Sequence, residues 1–196
     1  MSHNMKTIFY LRSLQGTDGD IVSKTLRQDL GVEFSHSKLG VPVAWMLTSN
    51  GTMDNIAFFV KWVRDASPEV QPTVIMTDCD QAQINALETV YPQSRIFLCH
   101  WHVLRAIRSH FVTTAFEALW HKIKALVRID NQATFDCLWN EICTDPSVPP
   151  SVVKYLNDVW MKRTHMWSKV FRKNLSIFEE GDTNILIEAY VIHHFH

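Results

Sequence analysis

The chain has 196 residues, 46% of them hydrophobic and 20% charged, and its formal net charge is −1. That length supports one domain with a substantial core, and that composition is an ordinary soluble globular one. The charge balance gives no global signal of a nucleic-acid binder, so any basic surface must be local. No window approaches the roughly 18 consecutive apolar residues of a membrane helix, and Met1–Lys6 holds no apolar signal core. The four cysteines, Cys79, Cys99, Cys137 and Cys143, do not form a disulfide framework. A reducing compartment, nucleus or cytosol, is therefore expected.

Thr7–Arg12 is a short apolar run that reads as a strand, and residues 13–38 are polar and weakly periodic. Val41–Thr48 (VPVAWMLT) reads as a strand that ends at the turn Ser49-Asn50-Gly51. Pro42 favours an edge or a strand start there. Over Met53–Ala66, Ile56, Phe59, Val60 and Val63 fall at helical spacing. Ser67-Pro68 ends that helix, and Thr73–Thr77 (TVIMT) has the short apolar character of a buried parallel strand. Residues 80–90 return to helical period, Tyr91-Pro92 stops it, and Arg95–Leu98 reads as another strand. This alternation predicts an α/β domain with a mostly parallel sheet, in which ligands lie beyond the carboxyl ends of the strands.

After Cys99 the chain becomes helical. Residues 100–128 form one long amphipathic pattern through Leu104, Ile107, Phe111, Leu119, Ile123 and Leu126. Further helices are predicted over Thr134–Ile142 and from about Ser151 to Asn174, and Thr183–His196 is helix-like.

Three constellations carry candidate chemistry. In Thr77-Asp78-Cys79-Asp80, Asp80 fits the N-cap of the next helix, whereas Asp78, still on the strand, opens into the crevice. Cys99 and His102 form a Cys-x-x-His pair where strand meets helix, with the spacing for one zinc ion or one hydrogen-bond network. His110, His121, His193, His194 and His196 are the residues that would complete such a zinc site, the plain alternative being a buried cysteine and a helix-capping histidine. In TNILIEAY, Glu188 follows three apolar residues, and an acid on a largely buried helix needs a partner. Two helical stretches are locally basic: Arg105 and Arg108 in the first, and Lys162, Arg163, Lys169, Arg172 and Lys173 in the second, interleaved with Trp160, Trp167 and Phe171. Such faces suit phosphate contacts, or they are ordinary charged helix exteriors.

Together, GVPVAWMLTSN from Gly40 and PTVIMTDCDQAQINALETVYPQSRIFLCHWHVLRAI from Pro72 resemble the transposase domain of Mutator-like elements (MULE). The likeness lies in a strand ending in Thr-Asp, a helix with a central Ala, an aromatic-Pro pair, then Cys-x-x-His with an extra Trp. TNILIEAY is similar to the family's Thr-Asn-Asn-x-x-Glu motif, with Ile185 at its second Asn. The resemblance implies an RNase H-like mixed sheet with flanking helices over residues 40–196 and an all-helical insertion, about residues 111–180, before the last acid. It implies an Asp-Asp-Glu site with Asp78 as second acid and Glu188 as third, holding Mg2+ or Mn2+, with zinc or a supporting role for Cys99 and His102. Its implied partners are DNA (transposon ends and target) and further copies of the chain. The family's first acid sits in an Asp-x-Thr strand, and LRQDLGVEFSHSKL upstream of Gly40 does not match it, so residues 1–39 read as diverged or truncated. The expectation is a remnant of a transposase catalytic domain that is inactive alone. The alternative is a non-catalytic DNA- or zinc-binding domain derived from one.

Overall fold

The computed structural model describes residues 5–8, 10–12, 44–47, 50–69, 71–112 and 115–172. It divides into two compact units, one reaching Phe97 and the other beginning at Leu98.

The first unit opens with strands β1 (Met5–Ile8) and β2 (Tyr10–Arg12), followed by β3 (Trp45–Leu47). Helix α1 (Met53–Ala66), strand β4 (Val74–Thr77), helix α2 (Gln81–Val90) and strand β5 (Arg95–Leu98) follow. β1 pairs antiparallel with β3, Met5 opposite Leu47 and Ile8 opposite Trp45, with an irregular register between them. A second sheet has the order β2-β4-β5. Tyr10, Leu11 and Arg12 lie opposite Met76, Ile75 and Val74 in an antiparallel ladder, and β4 runs parallel to β5. The sheet is thus mixed. The expectation of mostly parallel pairing fails because β2 reaches β4 across more than sixty intervening positions, a contact that local periodicity does not encode.

The elements follow from their side chains. α1 buries Ile56, Phe59 and Val60, spaced for one helical stripe. It ends at Ser67, just before Pro68. α2 starts at Asp80, whose carboxylate accepts from the backbone N–H groups of Ala82 (2.8 Å) and Gln83 (3.1 Å). That satisfies two of the donors a helix start leaves open. α1 and α2 pack together, and Arg64 of α1 donates from Nη1 to the carbonyl of Val90, 3.2 Å away, in the last turn of α2. A cation there meets the negative end of the helix dipole.

Among the described residues, the second unit is all helical beyond β5. The long amphipathic pattern is broken into α3 (His100–Arg108) and α4 (Glu117–Arg128). Ser109 and His110 turn the chain, and their backbone N–H groups bond back to Arg105 and Ile107. α5 (Gln132–Thr144) is capped by Asn131, which accepts from the Thr134 N–H at 3.0 Å. α6 (Pro150–Tyr155) has Pro150 at its first position, where the missing N–H costs nothing. It runs on through a π turn (Leu156–Trp160), a 3₁₀ turn (Met161–Arg163), the short α7 (Thr164–Trp167) and a final 3₁₀ turn (Lys169–Arg172). Trp167 and Phe135, both buried, meet at 5.9 Å in this core. Trp167 donates from its indole to the carbonyl of Trp160, and Trp160 to the Tyr155 hydroxyl. No helix among the described residues is long and apolar enough to cross a membrane.

Two outcomes follow. Leu87, 0% exposed on α2, should cost about 2–5 kcal/mol when replaced by Ala, the range for a cavity in a packed core, and urea denaturation measures it. Asp145 joins α4 to the end of α5: it accepts from Ser147 N and Oγ (3.0 and 2.6 Å) and from Lys122 Nζ (3.2 Å). These bonds, those of Ser147 first, hold its carboxyl at about 2 instead of the ordinary 3.8. The stabilisation is therefore present above about pH 4 and is lost as the pH falls toward 2. Thermal melts should show a shallower acid loss across that window for Asp145→Asn than for the parent chain.

Candidate functional site

β4 is buried along all four residues, and Asp78 is the first residue past its end. The step from strand to helix is held from two sides. The buried Thr77 hydroxyl donates to the side-chain carbonyl of Gln83 at 2.8 Å, and Asp80 caps α2. Asp78, half-buried, is thereby carried on a short connection with little room to move. Asp80 is the cap, as its place before the apolar period predicts. Gln83 was not singled out by sequence, although it sits three residues after the cap, where a capping-box Gln is recognised. Its side-chain oxygen accepts from Thr77.

Glu188 lies outside the described residues, as do Lys173, His193, His194 and His196. Among the described residues no group of three His, Cys, Asp or Glu side chains is arranged to hold a metal ion. Of the candidate acids Asp78 and Glu188, Asp78 is the one that lies among the described residues. A hard divalent ion needs oxygens beyond those of one carboxylate.

In the second unit Cys99 is buried at the N-cap of α3, without a side-chain capping bond. His102 is half-buried and meets the Trp101 ring edge-on at 4.7 Å. The histidine that fixes this helix start is His100. It is buried, and its Nε2–H donates to the carbonyl of Trp167 at 2.6 Å. Its place on the stripe His100, Val103, Ile107 is legible in sequence. His110 stacks on Tyr155 at 4.0 Å and donates from Nδ1 to the Ala106 carbonyl. His121 is exposed, 3.8 Å from Glu117.

The basic residues separate. Arg105 and Arg108 are exposed on α3, and the Arg105 guanidinium lies 5.0 Å over the Trp101 ring. Lys162 is exposed but 3.9 Å from Asp158, which also pairs with Lys154. Arg163 is half-buried, 6.0 Å over Trp160, and Lys169 is half-buried. Arg172 departs from the expected basic face. It is 2% exposed, and its Nη2 donates to the carbonyls of Leu98 and Met166. Backbone oxygens take its Nη2 protons, and its burial removes it from any phosphate-facing surface. Trp160 and Trp167 are core residues, and of the interleaved aromatics Phe171 alone stays exposed.

No curated protein matches the chain. The MULE transposase domain family, by contrast, has a model that matches residues 28–106. That stretch contains Asp78 at the end of β4, the Thr77–Gln83 bond, the Asp80 cap and the Cys99–His102 pair on α3, and over it the chain is similar to MULE transposase domains.

Proposed function

We propose that this transposase-derived chain is the remnant of a DDE-type catalytic domain with an RNase H-like fold, and that alone it does not cut or join DNA. The observation that carries the reading is Asp78, held just past a fully buried central strand inside the family-matched stretch. A carboxylate so placed is fixed by the sheet and does not swing on a loop, as a metal-holding acid requires. In the intact chemistry Mg2+ or Mn2+ activates the attacking oxygen and stabilises the leaving one in an in-line displacement. Asp78 would hold such an ion together with Glu188. Residues 1–39 contain no Asp-x-Thr, so the first acid of the set is missing from the place where the family carries it. A two-carboxylate set binds metal weakly and leaves one oxygen of the reaction unsupported.

A second reading has its own support, namely DNA binding without catalysis. From Leu98 to Phe116 the chain holds no Asp or Glu. Arg105 and Arg108 stand exposed on that stretch, and among the described residues neither is paired with a carboxylate. Phosphate contacts of this kind give affinity without sequence preference. Zinc at Cys99 and His102 would be structural in this reading, and a nuclear location would follow from DNA as partner.

Two experiments separate these statements. Supercoiled plasmid incubated with the chain and Mg2+ or Mn2+ should stay supercoiled, as with an Asp78→Ala control. Nicking that disappears in Asp78→Ala and Glu188→Ala would show an active enzyme. Fluorescence anisotropy with labelled DNA should show binding that weakens with salt and is unchanged in Asp78→Ala. Each of Arg105→Ala and Arg108→Ala should make the log K against log salt slope shallower by about 1. An unaltered slope in both variants would remove α3 from the interface.

A further inference from the structure

We infer that Trp101 is a base-stacking residue, and that the α3 surface takes unpaired DNA nucleotides in preference to closed duplex. The inference rests on the DNA-binding reading of α3 and adds the form of DNA that fits it.

The argument begins with helix geometry. Val103 and Ile107 face the core. Trp101, Arg105 and Arg108 are spaced i, i+4 and i+7, which puts them on one face, roughly opposite that apolar stripe. Trp101 keeps 43% of its surface exposed in this position. Its ring is not loose: Arg105 lies 5.0 Å across its face, and His102 meets it edge-on at 4.7 Å. An indole held by two neighbours offers a π surface at low cost in side-chain freedom.

Phe58 and Trp62 on α1 are exposed further, 75% and 58%. Among the described residues, however, no cation lies over either ring. The nearest basic residue in sequence, Lys61, is engaged by Asp65 at 2.5 Å. Trp101 differs in joining a stacking surface to cations with no described carboxylate partner, on a stretch without acids. That is the pair of features a single-strand platform needs: bases stack on aromatics while arginines take the phosphates. In a closed duplex the base faces are covered by their neighbours, so duplex DNA can use the arginines and not the ring.

The test uses the full chain with two fluorescein-labelled probes, a short oligothymidine and a hairpin duplex, in anisotropy titrations at one low salt concentration. Trp101→Ala should weaken oligothymidine binding at least about fivefold, the lower end of what one stacked base contributes, and leave duplex binding unchanged. Trp101→Phe should restore most of the lost affinity. Because Trp101 is outside the core, thermal melts of both variants should match the parent. If Trp101→Ala binds oligothymidine as the parent does, the stacking inference is overturned while the DNA-binding reading stands. An equal loss on both probes also overturns it, since Trp101 would then act only by supporting Arg105. If the parent chain binds neither probe, the DNA-binding reading itself falls, and this inference with it.

Discussion

The central position of β4 is the constraint on which the first unit depends. Its backbone is paired on both edges, antiparallel to β2 and parallel to β5, and its four side chains are all buried. Such a strand cannot carry a charge along its length, because an unpaired carboxylate there would meet the full desolvation penalty. The first place an acid can stand is the residue after the strand, and Asp78 stands there. The Thr77–Gln83 bond and the Asp80 cap then shorten the path back into α2. The geometry of the candidate acid is therefore a by-product of how a buried strand must end.

The second unit uses buried polar groups differently. His100 and Arg172 both lie in its interior, and both donate to backbone carbonyls: His100 to that of Trp167, Arg172 through Nη2 to those of Leu98 and Met166. These bonds tie the start of α3 to the last described turn of the chain. Burying a guanidinium costs desolvation, so the contact specifies one arrangement of that turn more than it adds net stability. Trp167 sits at the junction, stacking near Phe135 and donating to Trp160. Basic and aromatic residues that alternate in sequence are thus sorted by depth, with Arg172 and Trp167 inside and Lys162 outside.

The sorting matters for function because it narrows the basic surface to fewer residues than composition offers. Asp158 offsets Lys162 and Lys154, and Arg163 lies against Trp160. Among the described residues, the arginines of α3 have no carboxylate partner, and they stand next to an exposed indole. The MULE-matched stretch ends at Ala106, so Trp101 and Arg105 belong to it and Arg108 lies just beyond.

Local pattern was enough to place most elements. Helix α1 and strand β5 occupy the segments that apolar spacing and the Pro-containing stops mark out, and the Asp80 cap follows from one short polar side chain before an apolar period. Asp78 was also legible, since a strand ending in an acid is a local feature and its motif is short. What local pattern could not decide is anything that depends on partners far along the chain. The antiparallel pairing of β2 with β4, the break of one long amphipathic run into α3 and α4, and the choice of Gln83 for Thr77 were settled only by tertiary packing. Arg172 is the clearest case. In sequence it is one of several basic residues on a helical stretch. The fold places the carbonyls of Leu98 and Met166 around it, so its charge serves the interior and not a ligand. Sequence by itself determined which residues can bear charge, cap or stack. The tertiary structure decided which of them face solvent, because burial depends on what the rest of the chain brings alongside.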